Sequence, residues 1–507
     1  MPHPRRLAAA SAIAIAAAGP AAAELTAAQV WADFENYLPG TAELTVESET
    51  PTPSGLRVEG ISWRVQMPAQ PGVTTSEQVT TIPYVEFIEN DDGTVTVEMA
   101  ETTEAVTEVE GPAGAFTSSL VIELPGNETV AREIEGGIEY DFTAPTMVMR
   151  TGEMVEGATA VPVSFELALS DLAGTYSMIG DAERTYEQTL AASSAALDIS
   201  GTDPQTGGAF SVAARFDGIA STGAGSWPEG VDMTSLGAAI QKGLTAEGSV
   251  SFTSSDYRID ITEEAGPTSI SGGAKGGGSL DFRMGEGGIG YSAASEDSAL
   301  TISGAEIPLP QINAAIARSG FDVLMPAVAS EAAGPFRLAM RLEELAIDDQ
   351  LWSMLDPAGQ LDRSAWTLAL DLTGMARLDV DIFDPEAMAE ADPNAAPGQV
   401  ESASIDELRL SVLGADLTGS GAFAFDSSDM TTFGGMPAPE GTLRLSLTGA
   451  NAFMEQLVAL GFVPEDQVMM GRMMLGLFAR SVGEDAFETE IEIRPDGTVL
   501  ANGQQLQ

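Results

Sequence analysis

The stretch LWSMLDPAGQLDRSAWTLALDLTGMARLDVDIFDP, residues 351–385, decides the fold class. From Trp366 onward its even positions are Trp366, Leu368, Leu370, Leu372, Gly374, Ala376, Leu378, Val380 and Ile382, and most odd positions are Thr, Asp or Arg. Successive side chains of a strand point to opposite faces, so this spacing puts every large apolar group on one face. A hairpin with a two-residue loop would flip that parity. Parity holds from 366 to 382, so the segment is either one long strand bent at Gly374 or two strands joined by a loop of odd length. As one strand it spans roughly 55 Å at about 3.3 Å per residue, a length that suits a large open sheet or half-barrel.

Shorter alternating runs fill much of the remaining chain. They include Leu120 to Leu124, Ile138 to Phe142, Val163 to Leu169, Tyr257 to Ile261, Leu280 to Met284 and Phe336 to Leu342. The residues between are mostly Glu, Ser, Asp and Thr, which leaves one face wet and favours antiparallel pairing. A phase shift at Gly60, between Leu56-Val58 and Ile61-Trp63, marks a bulge or tight turn. Asn90-Asp91-Asp92-Gly93 reads as a hairpin, and a parity flip at Gly414 as a hairpin or bulge. The predicted fold is mainly β: long antiparallel sheets in an open sheet or half-barrel, with a few short covering helices.

The helices are expected at Glu24–Leu38, with Thr26 as cap and Pro39-Gly40 as stop, and at Met233–Leu244, Leu309–Arg318 and Asp348–Leu355. Two more follow near the end: Asn451 caps Ala452–Leu460, and Pro464-Glu465-Asp466 opens the next. In that last helix Met470, Met473, Met474, Leu477 and Phe478 fall on one stripe. Core packing is the expected role of the stripe; binding of apolar partners is the sharper one. The chain divides into a leader, 1–23, an N-terminal β-rich lobe, 24–245, and a C-terminal β-rich lobe, 246–507, with the helical pair 451–482.

The leader has Arg5 and Arg6, an apolar run Leu7–Ala18, the breaker Gly19-Pro20, and a small-residue site Ala21-Ala22-Ala23. This is the pattern of a secretory signal peptide cleaved after Ala23, and it predicts a periplasmic protein. No later segment is long and apolar enough for a membrane-spanning helix.

Composition removes most catalytic chemistry. The only histidine, His3, lies in the leader, and there is no cysteine. Ser-His-Asp and Cys-His nucleophiles, and Cys/His zinc or haem sites, are therefore excluded from the exported part. Asp and Glu number 76 against 22 Lys and Arg, a net charge of −54. Such a surface repels nucleic-acid phosphates and anionic lipid, and keeps an exported protein soluble. Ser271 to Ser279, SGGAKGGGS, lacks the G-K-[ST] of a phosphate loop, because Lys275 is followed by Gly276, and reads as a hairpin loop. The acidic turn at 90–93 lacks the spaced ligands of a calcium loop. No catalytic, cofactor or metal residue emerges.

Three pieces carry a family resemblance: LWSMLDPAGQL at 351–361 with its following strand, LGADLTGSGAFAFD at 413–426, and the tail at 461–504 containing GFVPEDQ and DGTVLANGQ. Together they resemble an uncharacterised family of alphaproteobacterial envelope proteins, a domain of unknown function. The resemblance implies a periplasmic location over the whole exported chain and transfers no catalytic residue. In strand style the chain is also distantly similar to AsmA-like envelope proteins, whose long sheets form lipid-conducting grooves. By that analogy Trp366, Leu368, Leu370 and Leu372 are candidate lining residues of an apolar groove that binds or carries a lipid, with no cofactor and no enzymatic activity. The competing expectation is a structural or assembly component of the envelope without a small ligand. A carboxylate-based hydrolase ranks below both: 76 acidic residues single out no pair, and 6% aromatic content is poor in sugar platforms.

Overall fold

A computed structural model describes residues 25–37, 42–66, 75–111, 114–157, 159–180, 183–203, 206–231, 235–384, 387–388, 391, 396–435 and 437–506. The expected leader and the stop at Pro39-Gly40 lie outside these residues. Among the described residues 28 strands form one antiparallel sheet. The chain winds back and forth largely in sequence order, so most long runs pair with the one before and the one after. Glu183–Thr202 lies between Val163–Ile179 and Ala209–Pro228, and Trp366–Leu378 between Gly334–Ile347 and Gly398–Val412. The longest strands, such as Glu183–Thr202 and Ala209–Pro228, have 20 residues, roughly 65 Å at 3.3 Å per residue.

Some rungs consist of two strands laid end to end. Thr245–Phe252 and Ser254–Glu263 both pair with Ala209–Pro228, so strand pairing continues across residue 245. Among the described residues no pairing joins the first rung to the last. The sheet is open.

A sheet this large must bend and twist to persist. Bulges at left-handed residues supply the bend: Gly60 (φ 63°), Asp171 (φ 48°), Gly218 (φ 60°), Asp297 (φ 49°) and Glu344 (φ 55°). Each changes the apolar parity of its strand; the register to the next strand is kept across Gly60, Asp171, Gly218 and Asp297 and shifts only at Glu344. Leu169 and Leu172 therefore face the same side, as do Phe216 and Ile219, and Leu342 and Leu345. Neighbouring strands tie the bulges down. Ser193 donates to the Asp171 carboxylate at 2.8 Å, and the Thr253 hydroxyl donates to the Asp217 carbonyl at 3.0 Å beside Gly218.

Five short helices punctuate the sheet among the described residues: α1 Ala27–Tyr37, α2 Leu236–Gln241, α3 Asp349–Leu355, α4 Ala450–Ala459 and α5 Glu465–Phe478. Helix α1 is opened by a reciprocal cap. Thr26 N–H donates to the Gln29 side chain at 2.9 Å, and Gln29 N–H donates to the Thr26 hydroxyl at 3.3 Å. Leu25, Val30 and Trp31 then press onto Val58, Ile61, Val85, Phe87 and Val95, forming the largest buried cluster. Trp31 meets Phe87 with ring centroids 5.9 Å apart.

The opposite face of the sheet is polar. Arg337 bridges Asp371 at 2.7 Å and Asp322 at 3.0 Å, and Arg341 reaches Glu407 at 2.8 Å. These cross-strand pairs are half-exposed, so each contributes at most about 1 kcal/mol; their role is to pair charge on a face that must stay wet.

Several expectations need correction. Leu309–Arg318 is not helical: it falls in the strand Ile312–Met325, paired on both sides, and two ladders outweigh the local preference of its alanines. Ser271–Ser279 is not a hairpin loop but the junction of collinear strands Gly266–Ala274 and Gly278–Gly285. Its glycines are needed because neighbouring atoms crowd them: a Cβ on Gly272 would lie 2.9 Å from the Tyr257 hydroxyl. Helix α4 starts earlier than expected, after left-handed Gly449, and its cap comes from Asp485, which accepts from Asn451 N–H at 2.9 Å. The decisive stretch is one strand, the first of the two forms its parity allowed, but it ends at Leu378 rather than Ile382. There Asp379 N–H bonds the Pro397 carbonyl, and the Asp381 carboxylate accepts from Ala329 N–H.

Candidate apolar binding face

Register aligns the apolar residues of successive strands into rows. Leu370 faces Met340, which faces Phe321, then Ala293, Leu280, Val250, Ser221 and Leu190. Beyond Leu190 the row runs through Gly174, Phe142, Thr129 and Val97 to Phe87 under α1. In the other direction Leu370 faces Leu408, then Gly419 and Leu445. A single apolar row thus crosses nearly the whole sheet.

Coverage of the row is uneven. At the α1 end Phe87 is 1% exposed, whereas Leu280 is 52%, Phe321 45% and Met340 48% exposed. Leu190 and Val250 are exposed as well, and so are Tyr291 and Leu338 in the adjoining row. From Leu190 to Leu408 the row crosses nine rungs, roughly 40 Å at about 4.8 Å between strands. Apolar patches of this extent on an isolated chain mark an interaction surface.

The four sequence candidates separate. Trp366 packs under α3, its ring 6.1 Å from Trp352 and perpendicular to it. Leu368, Leu370 and Leu372 are half-buried and lie on the exposed rows, opposite Leu342, Met340 and Leu338. The residues that sequence reasoning missed are Leu190, Val250, Phe321 and Met340. Their alternation was legible, but no local signal told which strands would stand side by side.

Helices cover the same face at its margins. Helix α2 sets Ile240 against Ile289, with Phe282 and Met284 packed around them. Helix α3 is held by the loop after it. Asp356, wholly buried, accepts from the N–H groups of Gln360 and Leu361, both at 2.9 Å. These two bonds, with the Arg363 guanidinium at 3.8 Å, hold its carboxyl below the usual range. Arg363 also lies 5.7 Å from the Trp352 ring, so the loop fixes the tryptophan over Trp366. The DPAGQLDR motif is thus a scaffold for a covering helix.

At the far end α5 lies over the sheet and borders a half-open cavity of about 300 Å³, lined by Leu417, Leu445, Leu447, Met474, Phe478 and Phe487, with Thr489 and Glu488 beside them. The methionine stripe is not core. Met470, Met473, Met474 and Leu477 are exposed, as are Met469 and, before the helix, Phe462. Only one flank of α5, with Val468, Leu475 and Phe478, turns inward, because the sheet beneath it is too narrow a partner for a helix apolar around most of its circumference.

Residues 261–504 match the family described as "uncharacterized protein conserved in bacteria (DUF2125)". The matched segment is 244 residues, a little under half of the chain. All three motif pieces lie inside it, whereas the resemblance was expected over the whole exported chain. No curated protein and no solved structure matches the chain. The matched segment contains the middle and end of the exposed row, from Leu280 to Leu445, together with α3, α4 and α5.

Carboxylates away from the row serve turns. Asp92, Asp348 and Asp429 are each held below the ordinary range by hydrogen bonds from nearby hydroxyl or backbone N–H groups. A lowered pKa is the opposite of what a general acid needs.

Proposed function

We propose that this is an exported periplasmic protein without enzymatic activity that binds or carries an apolar, lipid-like ligand along the apolar face of its sheet. The observation that carries this reading is the row from Leu190 to Leu408, aligned by register and left exposed between helix-covered margins. Burial of apolar surface stabilises by about 25 cal/mol per Å², so an uncovered row of this size is a standing drive toward a ligand. Half of a bilayer's hydrocarbon core is about 15 Å thick. The row is longer, so it has room for more than one chain or for one chain to move along it. The leader 1–23 supports export, and the net charge of −54 argues against an anionic headgroup surface as the partner.

The test is organic extraction and mass spectrometry of protein purified from the periplasm without detergent. A stoichiometric lipid, lost in a Leu280→Asp, Phe321→Asp double variant that stays folded, is the expected result. A clean blank, repeated after incubation with membranes, would remove this reading.

A second reading, a structural or assembly component of the envelope, is favoured by the exposed stripe of α5. There Met470→Lys with Leu477→Lys would abolish assembly into a larger complex, while stability changes by no more than about 0.5 kcal/mol. Native-size chromatography from cell envelopes would decide; an unchanged profile removes it.

A further inference from the structure

We propose that the cavity beneath α5 is a binding site for the end of one unbranched hydrocarbon chain, and that the apolar row is loaded from this end. The proposal rests on the lipid-binding reading of the row and adds a site and a direction to it. Three observations carry it. First, the cavity walls are mostly aliphatic, aromatic and thioether side chains, with Thr489 and Glu488 beside them, and its volume of about 300 Å³ sits at the lower bound of ligand pockets. Its exposed surface is almost wholly apolar, so it accepts hydrocarbon.

Second, the cavity is continuous with the row. Leu445 lines it and faces Gly419, which faces Leu408. With no side chain on Gly419, Leu445 and Leu408 lean over it from both sides: a Cβ there would lie 2.7 Å from Leu445 Cδ2 and 3.1 Å from Leu408 Cδ2. A chain end seated under α5 therefore meets an unbroken apolar path toward Leu370 and Met340.

Third, the two ends differ. The α1 end is closed by Trp31 on Phe87, with Val58, Val85 and Val95 fully buried. The α5 end is walled by Met474, whose flexible thioether adapts to what it touches, on a helix with one flank packed. The lining also has no basic group to hold a carboxylate or phosphate, which assigns the cavity to the tail of the ligand rather than its head.

The test uses the full exported chain with ¹³C-methyl methionine and dodecanoate added below its micelle concentration. Met474 reports the cavity, Met340 the open row, and Met469 the outer side of α5. A saturable shift at Met474 with Met469 unmoved is expected. It should be lost in Leu445→Trp and in Leu417→Trp, each at a lining position and each filling the cavity; a melting curve like that of the parent shows that each variant is folded. A response at Met340 without one at Met474 would overturn this proposal and leave the row standing. Silence at both would remove the two together. A Met474 shift that persists in a folded filling variant would also overturn it.

Discussion

Glycine and aromatic residues meet as opposed pairs across the sheet. Phe336 faces Gly374, Phe423 faces Gly441, Phe210 faces Gly201 and Tyr186 faces Gly225. In each pair the ring lies over the glycine: a Cβ on Gly374 would sit 2.5 Å from the Phe336 ring and 2.1 Å from the Ser402 carbonyl oxygen. The ring supplies the apolar cover that the glycine lacks, and the glycine supplies the room. Gly374→Val should therefore destabilise by about 1–3 kcal/mol through overpacking, read as a lower urea midpoint. An unchanged midpoint would mean that Phe336 moves aside freely. The glycine in the decisive stretch was legible as a gap in its apolar face; its partner was not, since Phe336 lies on another strand.

At the scale of elements, the covering helices depend on loops more than on their own sequence. Helix α3 has seven residues, too few to stand alone, and it is placed by Asp348 and Asp356. Asp348 accepts from Leu351 N–H at 2.9 Å, while Asp356 holds the following loop. Because the folded pKa of Asp356 is depressed, its contribution is present above the unfolded value, about 3.9, and is lost as pH falls through the folded one. Asp356→Asn should lower the melting temperature at pH 7. The gap to the parent should then close below about pH 4, as the parent carboxyl takes up its proton. A gap independent of pH would assign the effect to shape rather than charge. The start of this helix at Asp348 was legible, because helix starts are a local matter. The exposure of the α5 stripe was not, because amphipathic spacing states which residues share a side and not what covers them.

Over the whole molecule, stability is distributed unevenly. Trp31→Ala should cost about 3–5 kcal/mol, whereas Leu280→Ala, at a side chain already half in water, should cost under about 1 kcal/mol. Denaturant melts of the two variants check this, and equal losses would show that the row is covered in solution. Charge acts on the entire sheet as well. With 76 acidic residues against 22 basic ones, self-repulsion opposes the folded state. Raising NaCl from about 0.01 to 0.5 M, which shortens the screening length from roughly 30 Å to a few ångströms, should raise the melting temperature. A fall would point to ion pairs such as Arg337 with Asp371 as the larger effect.

The sequence by itself determined the strand-rich class, the antiparallel pairing, the one-sided apolar spacing and the absence of histidine and cysteine chemistry. Each of these is a property of neighbours along the chain: a period of two, a turn dipeptide, a count. Tertiary structure alone decided which strands adjoin, and therefore that Leu190, Leu280, Phe321 and Leu370 share one row. It also decided that Trp366 is covered by Trp352 while Leu368 to Leu372 are not, and that Leu309–Arg318 is strand. Register and coverage arise between segments far apart in sequence, where the energy lies in contacts that no local pattern encodes.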